Sequence, residues 1–236
     1  MTIEQLDHRM KRRKQRTYNK ITMKVEIWSD IMCPFCYIGK RHFEAALMEF
    51  SHAEKVQIEW KSFQLDPTIP KKEERVDVYQ YLADKKGMTL EQSKAMHENV
   101  VQMAKNAGLE YNFDRAIVGN SKDAHRLIQF SKTKGLGDEA EEALFKAYFT
   151  DGKNMADLND LIEIGTSIGL DALELTSILE SDAFAYEMTQ DIQEAQNIGV
   201  QGVPFFVFDR KYAVSGAQPV EAFLQTLETA YAETNQ

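Results

Sequence analysis

Two alternating stretches on either side of a helical pattern constrain the fold of this chain more than any other feature. Residues 23–28 alternate apolar and polar side chains, which is the period of a strand with one buried face. Apolar side chains recur at helical spacing over residues 34–50, and residues 56–61 alternate again. A strand, a helix and a second strand in this order predict a right-handed parallel β-α-β unit.

The centre of the chain carries only helical signals, over residues 76–199. Thr89 and Gln92 form the pattern of a capping box, in which each side chain binds the backbone of the other residue. The helix that follows is predicted to have an inner face formed by Met96, Val100, Met103 and Ala107. We therefore expect a helical unit between the strand-containing parts of the chain.

Strand signals resume near the C-terminus. Residues 205–208 form a continuous apolar run, which is typical of a strand buried on both faces. Asp209 and Arg210 predict a tight turn, and residues 211–215 predict its hairpin partner. Pro219 stands where a final helix would begin. The whole pattern is β-α-β, then helices, then β-β-α, which is an α/β fold.

These patterns predict three parts in the chain. Residues 23–66 and 200–236 together form the strand-containing domain, and residues 67–199 form an inserted helical domain. Residues 1–22 contain seven Lys and Arg side chains against two acidic ones. We expect this basic extension to be disordered.

Charge and hydropathy exclude several classes of function. The net charge is −9, and the part after residue 22 carries −14, so nucleic acid is not an expected partner, because binding needs basic side chains to neutralise phosphates. The basic extension leaves RNA or an acidic membrane surface as a minor alternative. No apolar run approaches the ~18 residues of a membrane span, and no secretory signal follows the basic extension. We expect a cytoplasmic protein without membrane attachment.

The chain has two cysteines, Cys33 and Cys36, which are separated by two residues. A structural disulfide joins distant parts of a chain in an oxidising compartment, and this pair does neither. A lone C-x-x-C pair also lacks two of the four ligands of a structural zinc site, so no metal is expected. The pair follows a strand and opens a helix, and this setting predicts redox chemistry.

The position of the pair predicts different roles for its two thiols. Cys33 stands at the predicted helix start, where free N–H groups and the positive end of the helix dipole favour a thiolate. Cys36 lies one turn further and is placed to attack a mixed disulfide on Cys33. Pro34 suits the first helical turn, where its missing N–H costs nothing. We expect Cys33 to be the nucleophile and Cys36 the resolving thiol.

Several separated segments resemble one family. Residues 33–36 after a short strand, and residues 202–206 before a hairpin, resemble the DsbA-like thioredoxin-fold proteins. Residues 26–30, 123–127 and 212–218 are similar to the cytoplasmic branch of that family, the FrnE-type dithiol–disulfide isomerases. The resemblance covers most of the chain but leaves out the basic extension.

The resemblance implies a thioredoxin-like fold with a large all-helical domain inserted in the middle. It also implies the activity of a thiol–disulfide oxidoreductase or isomerase, with a redox-active disulfide and no bound cofactor. Glutathione is a candidate co-substrate. The expected partners are proteins or small thiols that carry a thiol or a disulfide, and monomer and homodimer both stay open.

Two further expectations come only from the resemblance. The Val203–Pro204 bond is expected to be cis and to pack beside the cysteines, exposing the Val203 backbone to an extended substrate. The alternative is a proline at the first position of a strand, which needs no function. Strongly oxidising relatives carry His at the position of Phe35, and Phe35 offers neither charge nor hydrogen bond. We therefore expect a weaker oxidant.

Other candidate residues carry weaker signals. Trp28 and Asn120 are candidates for contacts with substrate, Asn120 because the matching segment of the branch faces the active-site groove. His125 is a third candidate, although a lone helical histidine is more often structural. Asp30 and Glu26 precede the cysteines and are candidates to relay protons, against the simpler interpretation of solvated carboxylates.

Two other functions stay open. Kappa-type glutathione transferases and 2-hydroxychromene-2-carboxylate isomerases share the implied architecture but typically carry a serine without a resolving partner. This chain instead has both Cys33 and Cys36. The second alternative is a peptide-binding or chaperone module with a passive, redox-sensing cysteine pair. A paired motif at a helix start favours dithiol exchange over both.

Overall fold

A mixed four-stranded sheet forms the base of the computed structural model, which describes residues 23–70 and 76–234. The predicted disordered extension, residues 1–22, lies outside the described residues. The strands of the described part are β1 (Met23–Ser29), β2 (Val56–Ser62), β3 (Val76–Asp77), β4 (Ile117–Val118), β5 (Phe205–Phe208) and β6 (Tyr212–Ser215). The main sheet has the order β2-β1-β5-β6. β1 is parallel to β2, and the other neighbours are antiparallel.

Nine α-helices surround the sheet within the described residues. They are α1 (Pro34–Glu49), α2 (Val78–Lys86), α3 (Leu90–Asn106), α4 (Lys122–Thr133), α5 (Gly137–Lys146), α6 (Leu158–Ser167), α7 (Ala172–Leu179), α8 (Ala185–Asn197) and α9 (Val220–Thr234). One π-helical turn, Ala147–Asp151, follows α5. The order β-α-β, then helices, then β-β-α confirms the predicted α/β, thioredoxin-like fold class.

Both faces of the main sheet are covered. Phe43 of α1 contacts Phe206 of β5 at 5.5 Å and Phe223 of α9 at 5.7 Å between ring centroids. Val207, which points the other way because side chains alternate along a strand, packs with Trp28 and with Ala195 of α8. The sheet is therefore sandwiched between α1 and α9 on one side and α8 on the other.

Two sequence predictions about the helical region were wrong. A two-stranded ladder pairs Val76 with Val118, where only helical signals were predicted, because strands of two residues are too short to show a period. Met103 is 43% exposed and does not face inward, whereas Val100 is buried as predicted. The other buried residues of α3 are Ser93, His97 and Ala104. The capping box of Thr89 and Gln92 is present as predicted. Within the described residues, no helix is long and apolar enough to cross a membrane.

Candidate active site

The two cysteines lie at the N-terminal end of α1. Cys33 has extended backbone and precedes the helix, Pro34 opens it, and Cys36 lies in the first turn. The Cys33 N–H donates to the Asp30 carbonyl at 2.9 Å, which closes a tight turn between β1 and the helix. Both thiols are free and buried. The strand therefore delivers the pair directly to the helix N-terminus.

The cis-proline segment lies against this pair. The Val203–Pro204 bond is cis, as the resemblance implied. The Cys33 thiol donates to the Val203 carbonyl oxygen with a sulfur–oxygen distance of 3.4 Å. Gly39 of α1 makes this approach possible, because a Cβ atom there would lie 3.0 Å from Cγ of Pro204. The helix and the proline segment are thus close enough for backbone and thiol to touch.

The surroundings of Cys36 raise the pKa of its thiol. Burial raises the pKa of the Cys36 thiol well above its ordinary value, and the hydrogen bond and charge of Cys33 raise it further. The Asp30 N–H and the Ser29 hydroxyl act in the opposite direction, because they stabilise a thiolate at Cys36. The net direction is upward. In the reduced protein, Cys36 is therefore a thiol and not a thiolate.

A cleft of about 490 Å³ opens beside Cys33. Its walls are mostly apolar. They come from the start of α1 and the loop before it, from the segment after β2, from α2 and α3 and from the loop after α3, including Met32, Phe35, Leu65, Leu82, Met96 and Phe113. Cys33 and Pro34 border it, as do Lys85 and Lys86 of α2. A volume of this size accommodates a small molecule or a short peptide segment. Phe35, which was predicted to make the protein a weaker oxidant, lines this cleft and is 39% exposed.

Two buried polar side chains of the helical region, His97 and Tyr148, line the cleft in addition to the lysines. The Nδ1 atom of His97 lies 2.8 Å from the Ser93 carbonyl and carries the proton, because a carbonyl only accepts. Burial lowers the pKa of His97 and keeps the ring neutral. Burial and the charge of Asp30 raise the pKa of Tyr148, so its phenol also stays neutral. The cleft therefore combines apolar walls with neutral hydrogen-bonding groups, and charged side chains of α2 stand at its border.

The structure does not place Trp28 or Asn120 in the cleft. Trp28 is fully buried on the opposite face of the sheet, where its Nε1–H donates to the Asp191 carbonyl at 2.9 Å. Asn120 donates to the Ile69 carbonyl at 2.6 Å and accepts from the Lys122 N–H at 2.9 Å. Its amide binds the segment after β2 to the start of α4, so its hydrogen bonds serve the structure.

The two carboxylates that precede the cysteines are both buried. Glu26 is 1% exposed and pairs with Arg210, and it shares the face of Trp28, away from the cysteines. Asp30 accepts from the Leu65 N–H at 2.8 Å and from the Met32 N–H at 3.2 Å. Neither is a solvated strand-end carboxylate. Of the two, Asp30 touches the cysteine pair.

His125 is enclosed completely, and both of its ring nitrogens lack a hydrogen-bond partner within the described part of the chain. The nearest acid is Asp30, with 3.6 Å between His125 Nε2 and Asp30 Oδ1. The neighbouring Arg126, which belongs to the same family-like segment 123–127, has a structural role. Its guanidinium donates to carbonyls at the end of α7, including that of Leu179. His125 thus lies behind the dithiol, outside the cleft.

One residue near the cysteines was missed by the sequence analysis. The Tyr111 hydroxyl donates to the Pro34 carbonyl at 2.7 Å, across 77 residues of sequence. Burial, followed by the charges of Cys33 and Cys36, raises the pKa of Tyr111. The sequence signal that could have indicated a buried Tyr111 is the pair of aromatic residues Tyr111 and Phe113 within an otherwise polar loop. Among the described residues, no group of three His, Cys, Asp or Glu side chains is arranged to hold a metal ion.

Known proteins resemble the chain over most of its length. The DSBA-like thioredoxin domain family matches residues 24–228. A probable DsbA oxidoreductase from Streptomyces coelicolor is 41% identical, with a TM-score of 0.85, and the match covers 89% of this chain and 91% of that one. The uncharacterized protein YwbO of Bacillus subtilis (strain 168) is 26% identical over 191 residues, which are 79% of this chain and 87% of that protein.

A more distant structure shares the fold. The cytosolic disulfide reductase DsbM from Pseudomonas aeruginosa, in a structure with GSH, is 14% identical and has a TM-score of 0.63. The match covers 89% of this chain and 99% of that one. At this identity the likeness concerns the fold alone.

Proposed function

The chain belongs to the DSBA-like thioredoxin family, and from this membership we propose that it catalyses thiol–disulfide exchange through Cys33 and Cys36. One observation carries the proposal. Cys33 borders the cleft and its thiol contacts the Val203 carbonyl, whereas Cys36 is enclosed behind it with its pKa raised by burial. This difference in access supports attack by Cys33 and resolution by Cys36.

The proposed reaction conserves atoms and electrons. The Cys33 thiolate attacks one sulfur of a substrate disulfide, forms a mixed disulfide and releases one substrate thiolate, which takes up a proton. Cys36 then gives up its proton and attacks the Cys33 sulfur, which breaks the mixed disulfide and releases the second thiolate. The substrate gains two electrons and the cysteine pair loses them. Two molecules of a thiol such as glutathione would reverse these steps and restore the reduced pair.

The cleft supports substrates that present a disulfide on an apolar segment. Its walls are mostly apolar, and the cis-proline segment leaves the Val203 backbone beside Cys33. We propose proteins or small thiols as substrates, with glutathione as a co-substrate. Phe35 supplies no charge to a thiolate, which supports a weak oxidant that acts as a reductase or isomerase. The cytoplasm stays the predicted compartment.

Paired cysteine variants test this proposal. Because the chain has two cysteines, a mass increase of one glutathione reports on one of two known sites. We expect Cys36→Ser to accumulate a stable glutathione adduct on Cys33, and Cys33→Ser to form little adduct, because Cys36 is enclosed. Intact mass after incubation with glutathione disulfide measures both, and insulin reduction measures turnover.

Several outcomes would overturn the proposal. Turnover that survives Cys33→Ser would exclude Cys33 as the nucleophile. Conjugation of glutathione to an electrophile, with no insulin reduction by the unmodified protein, would indicate a transferase instead. Prevention of aggregation that survives alkylation of both thiols, again without insulin reduction, would indicate a binding module.

A further inference from the structure

Tyr111 joins the helical region to the active-site helix at Pro34, one of the two residues between the cysteines. It lies in the loop between α3 and β4, and its hydroxyl donates to the Pro34 carbonyl at 2.7 Å. Its ring stacks on Phe149 with 4.4 Å between centroids, and the side chain is 7% exposed. The ring is therefore held by packing, and the hydroxyl is aimed at the first turn of α1.

Both cysteines also influence the pKa of the Tyr111 hydroxyl. The charges of Cys33 and Cys36 act on Tyr111 after burial, the largest influence on it. The phenol consequently stays neutral and serves as a hydrogen-bond donor. In the described part of the chain, the Pro34 carbonyl is its hydrogen-bond partner. The hydrogen bond to the Pro34 carbonyl, inside the C-x-x-C segment, is the geometric link between Tyr111 and the dithiol.

We propose that Tyr111 is a positioning residue whose hydroxyl holds the Pro34 carbonyl, and with it the first turn of α1, in the geometry from which Cys36 closes on Cys33. This inference rests on the proposed function. Closure forms the Cys33–Cys36 bond and breaks the bond between Cys33 and the substrate, while the Cys36 proton leaves to solvent and the substrate departs as a thiolate. A disulfide tolerates a narrow range of dihedral angles, so a turn that is fixed beforehand raises the effective concentration of Cys36.

The experiment compares two tyrosines of one aromatic stack. Tyr111→Phe removes the hydroxyl and keeps the ring. Tyr37→Phe is the matched control, because its ring lies 6.2 Å from that of Tyr111 but its hydroxyl donates to Glu142 at 2.6 Å. Each reduced protein is equilibrated with defined ratios of glutathione and glutathione disulfide. Acid quenching, alkylation and intact mass then give the reduced, glutathione-bound and disulfide-closed fractions.

We expect Tyr111→Phe to lower the equilibrium constant for closure by about threefold to tenfold, the worth of one hydrogen bond. That change equals about 15 to 30 mV in reduction potential. The glutathione-bound fraction should rise accordingly, while Tyr37→Phe matches the unmodified protein. Thermal unfolding of both variants shows whether they are folded, and a purely structural role would lower the melting temperature without moving the fractions.

The failure of this inference differs from the failure of the proposed function. An unmodified protein that never forms the closed disulfide would overturn both. An unmodified protein that closes normally, with Tyr111→Phe giving the same three fractions, would overturn the role of Tyr111 and leave the dithiol chemistry intact. Equal shifts in both tyrosine variants would also reject a specific contact at Pro34.

Discussion

The two sides of the dithiol differ in what surrounds the sulfurs: one side is closely packed backbone and proline, and the other contains buried polar groups. On the side of the cis-proline segment, Gly39 leaves room for Pro204, and Val203 offers Cys33 a backbone carbonyl. On the other side, polar groups gather around Asp30, whose backbone contacts the cysteine pair. They include His125 and Glu141, which are buried and have atoms without hydrogen-bond partners in the described part of the chain.

The two sides therefore affect different properties of the site. Close packing on the proline side fixes where Pro204 and the Val203 carbonyl lie relative to Cys33. On the Asp30 side, the buried polar groups determine the free-energy cost of burying charge. Substitutions on the two sides should change the free energy of unfolding in opposite directions. Added volume should be costly on the first side, and removal of a polar group should cost little or even stabilise the protein on the second.

The largest expected effect is on the proline side. Gly39→Val should lower the free energy of unfolding by about 3 kcal/mol, because its Cβ would lie 3.0 Å from Pro204 and 3.4 Å from Phe206. The displaced proline segment should also slow thiol exchange. Urea denaturation measures the first effect, and the rate of insulin reduction the second.

Gly202→Ala provides the stability control for this comparison. An added Cβ there would meet no atom within 4 Å, so its free energy of unfolding should change by less than about 0.5 kcal/mol. A Gly39→Val protein as stable as Gly202→Ala would show that the proline side is loosely packed, and the contrast between the two sides would disappear.

The sequence predicted the proline side much better than the Asp30 side. The strand and helix periods and the C-x-x-C spacing are local signals, and they identified β1 and α1. The family resemblance of the segment before residue 205 implied the cis bond. The contacts of Tyr111 with Pro34 and of His125 with Asp30 join residues that are far apart in the chain. No local period encodes such contacts, because they depend on how the helical region packs.

Trp28 shows how a correct strand prediction can mislead. The alternation of residues 23–28 correctly indicated a strand, and it suggested one buried and one exposed face. Helix α8 covers the second face, so Glu26 and Trp28 are buried as well. A period of two shows that faces differ in polarity, but it does not show whether the polar face meets water.

A smaller change in the free energy of unfolding, opposite in sign to that of Gly39→Val, is expected at Glu141. Burial raises the pKa of Glu141 to about 8, the charges of Asp138 and Asp30 act in the same direction, and Lys40 opposes them. Between pH 4.5 and 8 the unfolded chain releases this proton and the folded protein keeps it, so the folded state loses stability as pH rises. Glu141→Gln should recover part of that loss and raise the free energy of unfolding at pH 7.5 by roughly 2 kcal/mol, because the amide keeps the cost of a buried polar atom without a hydrogen-bond partner.

The pH dependence identifies the cause of that gain. The advantage of Glu141→Gln over the unmodified protein should be small at pH 4, grow up to pH 8 and then level off. Glu139→Gln, at an exposed position of the same helix, should show no such window. A gain that is the same at every pH would mean that packing, and not the proton, distinguishes the variant.

The smallest effect is expected at His125, where two buried histidines can be compared directly. His125→Leu should change the free energy of unfolding by less than about 1 kcal/mol, since it removes two ring nitrogens that have no hydrogen bonds to lose. His97→Leu should cost about 1 to 2 kcal/mol more, because His97 donates to the Ser93 carbonyl. Urea denaturation at one pH measures both. If His125→Leu proves as costly as His97→Leu, the polar groups around Asp30 are fully satisfied, and the two sides of the dithiol are built alike.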